Sequence, residues 1–158
     1  MDLQKAYYKS DIGYLEITGT EKGISGVVFI EEKPAYVRPI HPCLQECYDQ
    51  LDEYFHGSRR NFDLDLVIEG TDFQLKVWMA LLKVPYGTTV SYGDIAVAIG
   101  SPKAVRAVGG ANGRNCIAVI VPCHRIIRND GRLGGYGSGT WRKDWLLKHE
   151  SNVISSEK

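Results

Sequence analysis

Ile117-Ala118-Val119-Ile120-Val121-Pro122-Cys123-His124-Arg125-Ile126-Ile127 is the run around which the chain is organised. Its first five residues are apolar and rich in β-branched types, and they are too few for a buried helix. They read as a buried strand. Pro122 has no backbone donor, so the ladder is expected to stop there. Cys123 then sits at the end of a rigid apolar segment, beside a histidine and an arginine. A cysteine attacks as its thiolate, and a neighbouring base or positive charge promotes that form. The bland alternative is a buried structural thiol next to a surface His-Arg pair, so the residues around this run must decide.

Outward from the run, charge is distributed unevenly. The 158 residues carry 19 Lys/Arg and 19 Asp/Glu. Residues 1–68 hold 7 Lys/Arg against 12 Asp/Glu, and residues 69–152 hold 11 against 6. Between Ile95 and Asn129 there is no acid, while Lys103, Arg106, Arg114, Arg125 and Arg128 are present. A local basic field on a neutral protein suits a polyanionic partner.

Upstream, Ser91-Tyr92-Gly93-Asp94 opens a short helix that Gly100 closes. Ser101-Pro102 reads as the start of the next helix, with serine at the N-cap and proline in the first turn. Two short helices joined by a tight turn, the second with a basic face, form a helix-turn-helix pattern. On that second helix Val105 and Val108 face inward, and Lys103, Arg106, Gly110 and Arg114 share the other side. Gly109 and Gly110 each cost helix stability, about 1 kcal/mol against alanine. That cost makes sense where a backbone lies close to a DNA groove or to a neighbouring helix. Before this pair, Thr71-Asp72-Phe73-Gln74 is a capping box, with Phe73, Val77, Trp78, Leu81 and Leu82 on one face.

Downstream, Gly134-Gly135-Tyr136-Gly137-Ser138-Gly139 is a glycine-rich loop without a P-loop lysine at the required spacing. It reads as an adaptable pocket wall. Thr140 is expected to cap a last helix, with Trp141, Trp145 and Leu146 inward. The polar end, SNVISSEK (151–158), is expected to fray.

The N-terminal half reads differently. Antiparallel strands are expected between Tyr7 and Ile30, a helix over 43–57, and a further strand of period two over 61–70. His41, Cys43, Cys47 and His56 raise a zinc reading. His56 lies more than two turns along the helix from Cys47, however, and tetrahedral convergence disfavours it. The cysteines are instead expected to face the core, and no metal is assigned. Four cysteines without secreted-scaffold density, no membrane-length apolar run and no signal pattern point to a cytoplasmic protein that keeps off membranes. The expected architecture is α+β. Residues 1–69 form a sheet-plus-helix domain, residues 70–152 a mainly helical domain containing the helix-turn-helix, and residues 153–158 a tail.

Taken together, GTDFQLKVWMALLKVPYGTTVSYGDIAVAIGSPKAVRAVGGANGRN, VPCHRII and GRLGGYGSGTWRKDWLLKHE resemble the O6-alkylguanine-DNA alkyltransferases from about Gly70 to Glu150. The Pro-Cys-His-Arg core, with Arg106-Ala107-Val108-Gly109 upstream and Gly134-Gly135-Tyr136 downstream, carries the likeness. The resemblance implies irreversible, stoichiometric transfer of an alkyl group from O6-alkylguanine in double-stranded DNA to Cys123, without a cofactor, by a monomer. The sequence does not decide whether O4-alkylthymine is a further substrate. By the same resemblance His124 acts as base through a water, Glu150 holds the histidine, Asn115 braces the segment, and Tyr92 serves the departing guanine. Arg106, Lys103, Arg114, Ser101 and Tyr92 become DNA contacts. Tyr136, Gly134, Gly135, Gly137, Ser138, Val121 and Pro122 become the base pocket. The target nucleotide must leave the stack to be reached, at a cost of a few kcal/mol that an inserted side chain such as Arg106 offsets.

Two positions depart from the family pattern. Asn115-Cys116 stands where Asn-Pro is usual, and Ser138-Gly139 replaces a double glycine, which would narrow the pocket. The competing readings are a non-repairing alkylated-DNA sensor, a helix-turn-helix regulator and a Cys-His hydrolase. Cys123 itself argues against the first, the want of a dimerisation element against the second, and the adjacency of the histidine against the third.

Overall fold

The computed structural model describes residues 2–157. The chain forms two compact units, one running to Ile68 and also taking in Cys116–Ala118, the other formed by Glu69–Asn115 and Val119 onward.

The first unit is a three-stranded antiparallel sheet, β1 (Gln4–Ser10), β2 (Gly13–Thr20) and β3 (Gly23–Ile30), in the order β1-β2-β3. Period-two alternation sends Ala6 and Tyr8 of β1 and Leu15 and Ile17 of β2 into the core, where Ile24 and Val27 of β3 join them. Helix α1 (Pro42–Phe55) covers that face with Leu44, Cys47, Leu51 and Tyr54. Tyr8 stacks on Phe55 with ring centroids 5.7 Å apart and meets the edge of Tyr48 at 5.3 Å. Cys47 is buried, whereas Cys43 is half-buried, its Sγ 3.1 Å from Nδ1 of His41, which also accepts from the Cys43 amide and caps α1. His56 lies at the far end of α1, exposed and 2.7 Å from the Asp52 carbonyl.

The register between β2 and β3 shifts at Thr18/Gly19, which leaves Ser25 as an extra residue on β3. A bulge of this kind changes which backbone groups face the open edge. As a result Ile24 and Val27, three residues apart, both pair outward. Ile24 donates to the Asp65 carbonyl and accepts from the Val67 amide, each at 2.8 Å, while Val27 donates to the Cys116 carbonyl at 2.9 Å and accepts from the Ala118 amide at 2.8 Å. The edge is thus shared. For that reason residues 61–70 form a single bridge at Leu66 and not the expected strand.

The second unit contains α2 (Asp72–Leu82), β4 (Val90–Ser91), α3 (Tyr92–Ala98), α4 (Val105–Gly113), a 3-10 turn (Cys123–Arg125), β5 (Ile126–Ile127) and α5 (Thr140–Ser156). Capping boxes open α2 (Thr71 with Gln74) and α3 (Ser91 with Asp94). On α2, Val77, Trp78 and Leu81 are buried, and the Trp78 indole donates to the Ala111 carbonyl at 2.8 Å, which ties α2 to α4. β4 and β5 pair in parallel, Val90 with Ile126.

Several expectations are corrected here. Residues 117–121 are buried but not a strand: Ile117 makes one bridge, 118–120 turn, and Val119 has φ 69°. Apolarity reports burial, and the turn chooses the shape. Helix α4 begins at Val105, not at Ser101. Ser101 donates to Ala96 and accepts from Ala104, so Ser101–Ala104 is a turn containing Pro102 and Lys103, and Ala104 is a cap without a side-chain bond. Helix α5 is capped by Gly139 rather than Thr140. Leu146 faces inward as expected, but the phase of the helix exposes Trp141, leaves Trp145 half-buried, and buries Arg142, Lys143 and Glu150. It continues to Ser156, so residues 151–156 are helical and not frayed. Among the described residues, no helix is long and apolar enough to cross a membrane.

Candidate active site

Cys123 opens the 3-10 turn and is buried, 6% exposed. Its amide donates to the Val121 carbonyl at 2.7 Å, which folds the chain tightly through Pro122. The Asn115 amide nitrogen donates both to Sγ of Cys123, at 3.1 Å, and to the Val121 carbonyl, at 3.0 Å. One side chain therefore fixes the turn and the sulfur together. Burial pushes the thiol's pKa up, while the Asn115 bond, the Lys143 charge and the Tyr136 phenol pull it back. These opposing groups all favour the thiolate.

His124 is fully buried, and its Nε2 lies 2.7 Å from Oε2 of Glu150 on α5. Glu150 is also fully buried. Arg125 grips the same carboxylate with Nε to Oε1 at 2.9 Å and Nη2 to Oε2 at 3.0 Å, and sends Nη1 to the Val84 carbonyl at 2.8 Å. The Gly87 amide adds a bond to Oε1 at 3.0 Å. Burial alone would raise the Glu150 carboxyl; the bonds and charges of His124 and Arg125 outweigh it and hold the group well below the usual carboxylate range. Burial pushes His124 down, against the pull of Glu150. Arg125 balances the carboxylate, and an acceptor 2.7 Å from Nε2 favours the tautomer whose Nε2–H donates to Glu150. Nδ1 then carries the lone pair, and it is buried without a partner in the protein.

The sequence groups Arg125 with the basic field, and the structure corrects that reading: Arg125 is buried and spent on Glu150. The exposed cations are Lys103 in the turn before α4, Arg106 on α4, and Arg114 at its C-cap, together with Arg128 beyond β5. Ser101 is half-buried in its turn.

Tyr92, first residue of α3, is half-buried between two glycines. A Cβ on Gly109 of α4 would lie 3.7 Å from its ring, and one on Gly134 would lie 3.2 Å from its hydroxyl. A side chain at 109 would meet Tyr92 only at ordinary contact distance, Gly134 is the tighter of the two, and Gly110 faces open space. Burial, and then the charge of Cys123, pushes the Tyr92 phenol up. The glycine-rich loop comes to the same place. The buried Tyr136 hydroxyl faces Cys123 without completing a hydrogen bond, and burial drives it well above its ordinary value. The Tyr136 carbonyl accepts from Gly139 at 2.9 Å, and the Ser138 carbonyl from Arg142 at 2.7 Å. Gly135 and Gly137 have open space around them.

The structure thus gathers Cys123, Asn115, His124, Glu150, Tyr92, Tyr136, Val121 and Pro122, and leaves Arg106, Lys103 and Arg114 on the outside of the helix-turn-helix. Sequence reasoning misses Arg125 as a clamp, Gly87 as a donor, and Lys143. The last has one signal: Lys143 precedes Glu150 by seven residues, two helical turns, and so shares its face.

Both halves of the chain match known proteins. Residues 72–152 match the 6-O-methylguanine DNA methyltransferase DNA-binding domain, and residues 3–68 match that family's ribonuclease-like domain. The chain is 48% identical over 151 residues to a methylated-DNA–protein-cysteine methyltransferase of Methanosarcina barkeri, covering 92% of this chain and 96% of that one. It is 46% identical over 147 residues to that of Mycobacterium bovis, covering 90% and 89%. The crystal structure of Mycobacterium tuberculosis O6-methylguanine methyltransferase superimposes with a TM-score of 0.87 at 41% identity, covering 99% of this chain and 100% of that one. The Mycobacterium tuberculosis protein in complex with DNA gives 0.85 at 45%, covering 93% and 92%. With both halves matched and a thiolate-supporting site at Cys123, this chain belongs to the methylated-DNA–protein-cysteine methyltransferase family.

Proposed function

We propose that this protein repairs alkylated double-stranded DNA by direct reversal, taking the alkyl group from O6 of guanine onto Sγ of Cys123. The observation that carries the reading is Nδ1 of His124, buried without a partner in a ring that Glu150 holds one residue from a buried thiol. Buried polar groups find partners. A water between Nδ1 and Cys123 satisfies this one and gives the thiol proton a path to the imidazole. The imidazolium so formed is stabilised by Glu150.

The thiolate attacks the alkyl carbon in line with the C–O6 bond. The bonding pair passes to O6, and the guanine takes a proton, for which Tyr92 is the donor or hydrogen-bonding partner. Asn115 keeps the sulfur aimed. Gly134, Gly135, Tyr136, Gly137 and Ser138 on one side, and Val121 with Pro122 on the other, line the space for the extruded base. Arg106 enters the duplex where the nucleotide has left, and Lys103, Arg114 and Ser101 meet the backbone, which gives affinity with little sequence reading. The working domain is residues 70–152, and the protein acts as a cytoplasmic monomer without a cofactor. A thioether sulfur has no easy leaving step, so each molecule acts once.

Intact mass after incubation with excess duplex oligonucleotide carrying O6-methylguanine tests this. The expected result is one methyl group per molecule, mapped to Cys123 and absent in Cys123→Ala. Unchanged mass with tight lesion binding would make the protein a damage sensor.

A further inference from the structure

Asn112, near the C-terminal end of α4, is as buried as Cys123, each 6% exposed. Its Nδ2 donates to the Cys123 carbonyl at 3.4 Å, and Asn115, one turn further on, sends its own Nδ2 to Sγ of Cys123 at 3.1 Å. A carbonyl can only accept, so the donor end of the Asn112 amide meets Cys123 and the acceptor end is left over. That acceptor, Oδ1, is buried and has no hydrogen-bond partner among the described residues. Leaving such an oxygen unpaired is costly, and an orphan of this kind calls for an explanation.

The neighbours do not supply one. Nδ1 of His124 is itself an acceptor, and the Tyr136 hydroxyl, also unbonded, faces Cys123. Asn115 commits its amide nitrogen to Sγ and to the Val121 carbonyl. A carboxamide neither gains nor loses a proton at neutral pH, so Oδ1 has no part in passing on the thiol proton. It can only accept a hydrogen bond. The substrate proposed above has one donor to offer. Alkylation at O6 leaves N1 of guanine without a hydrogen, so the exocyclic 2-amino group is the only hydrogen-bond donor on the base. That group lies on the same edge of the ring as O6, on the far side of N1. A base that brings its alkyl carbon to Sγ brings this edge to the turn that Asn112 and Asn115 hold.

We propose that Asn112 is a specificity-determining residue whose Oδ1 accepts a hydrogen bond from the 2-amino group of the extruded O6-alkylguanine. The assignment rests on the repair reading above. Where the amino group is missing, the buried acceptor stays unpaired against the base. O6-alkylhypoxanthine is the same lesion without that group, and O4-alkylthymine likewise has no donor on its ring, so both are disfavoured. A site built to hydrogen-bond a group rejects an analogue lacking it far more strongly than an apolar pocket rejects a change of size.

Single-turnover transfer, read by intact mass, tests this with parent protein and Asn112→Leu, each given duplexes carrying O6-methylguanine or O6-methylhypoxanthine at one position. Leucine is close in size and offers no acceptor. The parent should prefer the guanine lesion by about tenfold or more, and Asn112→Leu should cut that preference about tenfold, chiefly by slowing the guanine lesion. Differences in pairing and extrusion between the two lesions cancel in this cycle. Thermal unfolding reports whether the variant is folded, and Asn112→Met, whose unbranched chain adapts to the same space, gives the ratio if leucine prevents folding. Equal slowing of both lesions, as expected of a residue that only holds the Cys123 carbonyl, overturns the proposal and leaves the repair reading standing. A parent protein without preference does the same. Absence of transfer from either duplex overturns the repair reading. The same four combinations, read as equilibrium affinity by fluorescence anisotropy, then decide the role of Asn112 separately: a preference lost in Asn112→Leu supports it, and an unchanged ratio overturns it.

Discussion

At Glu150 three groups converge on two oxygens, and that geometry sets how the site responds to loss of one partner. Replacing Glu150 with glutamine keeps the shape but leaves the Arg125 guanidinium buried without its counter-charge. Breaking a buried pair in this way typically costs about 3–5 kcal/mol. Urea unfolding of Glu150→Gln at neutral pH should show a loss of that order, together with slower alkyl transfer as His124 loses its orientation. The pH dependence has a definite sign. The Glu150 carboxyl is held well below its ordinary value of 4.5, so on acidification the unfolded chain binds its proton first. The stabilisation is full above about pH 4.5 and is lost as pH falls toward the folded value. His124, held below 6.5, acts in the same direction from about pH 6.5 downward. Glu150→Gln should therefore flatten the acid limb below pH 4.5, and an unchanged slope there would mean that Glu150 is not the group responsible. At this scale the sequence displays the thiol, the histidine and the glutamate because they sit in contiguous motifs. Arg125 and Lys143 are not legible as buried, since a charge can be buried only by virtue of partners that the fold brings from 25 residues downstream or from a loop carbonyl.

Helix α5 is the element that carries both Glu150 and Lys143, and Gly87 governs its fit. Gly87 has φ +76°, donates its amide to Glu150, and would place any Cβ inside the Ile154 side chain. Gly87→Ala therefore combines backbone strain of order 1–3 kcal/mol with a steric overlap. It should lower the thermal midpoint and, by tilting α5, slow transfer to Cys123 in single-turnover assays. A variant as stable and as fast as the parent would remove α5 packing from the account. Elements are legible in the sequence where a local signal fixes them, as in the capping boxes of α2 and α3 or the alternation of β2. They are not where tertiary partners choose the phase. Trp141 and Trp145 look like the inner face of α5, but Gly139, a single residue earlier as cap, and the acceptors awaiting Arg142 and Lys143 bury the charged side instead. The Ser-Pro pair does not start α4 because Ser101 is used up closing the turn from α3.

For the molecule as a whole, zero net charge conceals a basic face on the second unit, where Arg106, Lys103 and Arg114 are exposed while Arg125 is withdrawn. Affinity for DNA should then fall with salt through released counterions. Arg106→Ala should weaken binding to duplexes of any sequence and reduce the slope of log affinity against log salt by about 1 if it contacts a phosphate, or leave the slope intact while slowing lesion transfer if it acts inside the duplex. Fluorescence anisotropy at several salt concentrations, paired with transfer rates, separates the two.

The stitching of Cys116–Ala118 onto the edge of β3 has a consequence for biosynthesis. The amide and carbonyl of Val27 have no lasting partner until those three residues emerge from the ribosome, 48 residues after Ile68. At translation rates of about 5–20 residues per second the nascent sheet waits roughly 2–10 s with an open edge. During that interval the growing chain is most exposed to mispairing, so a chaperone or a slow codon acting on this protein would matter most before residue 118 and little after it.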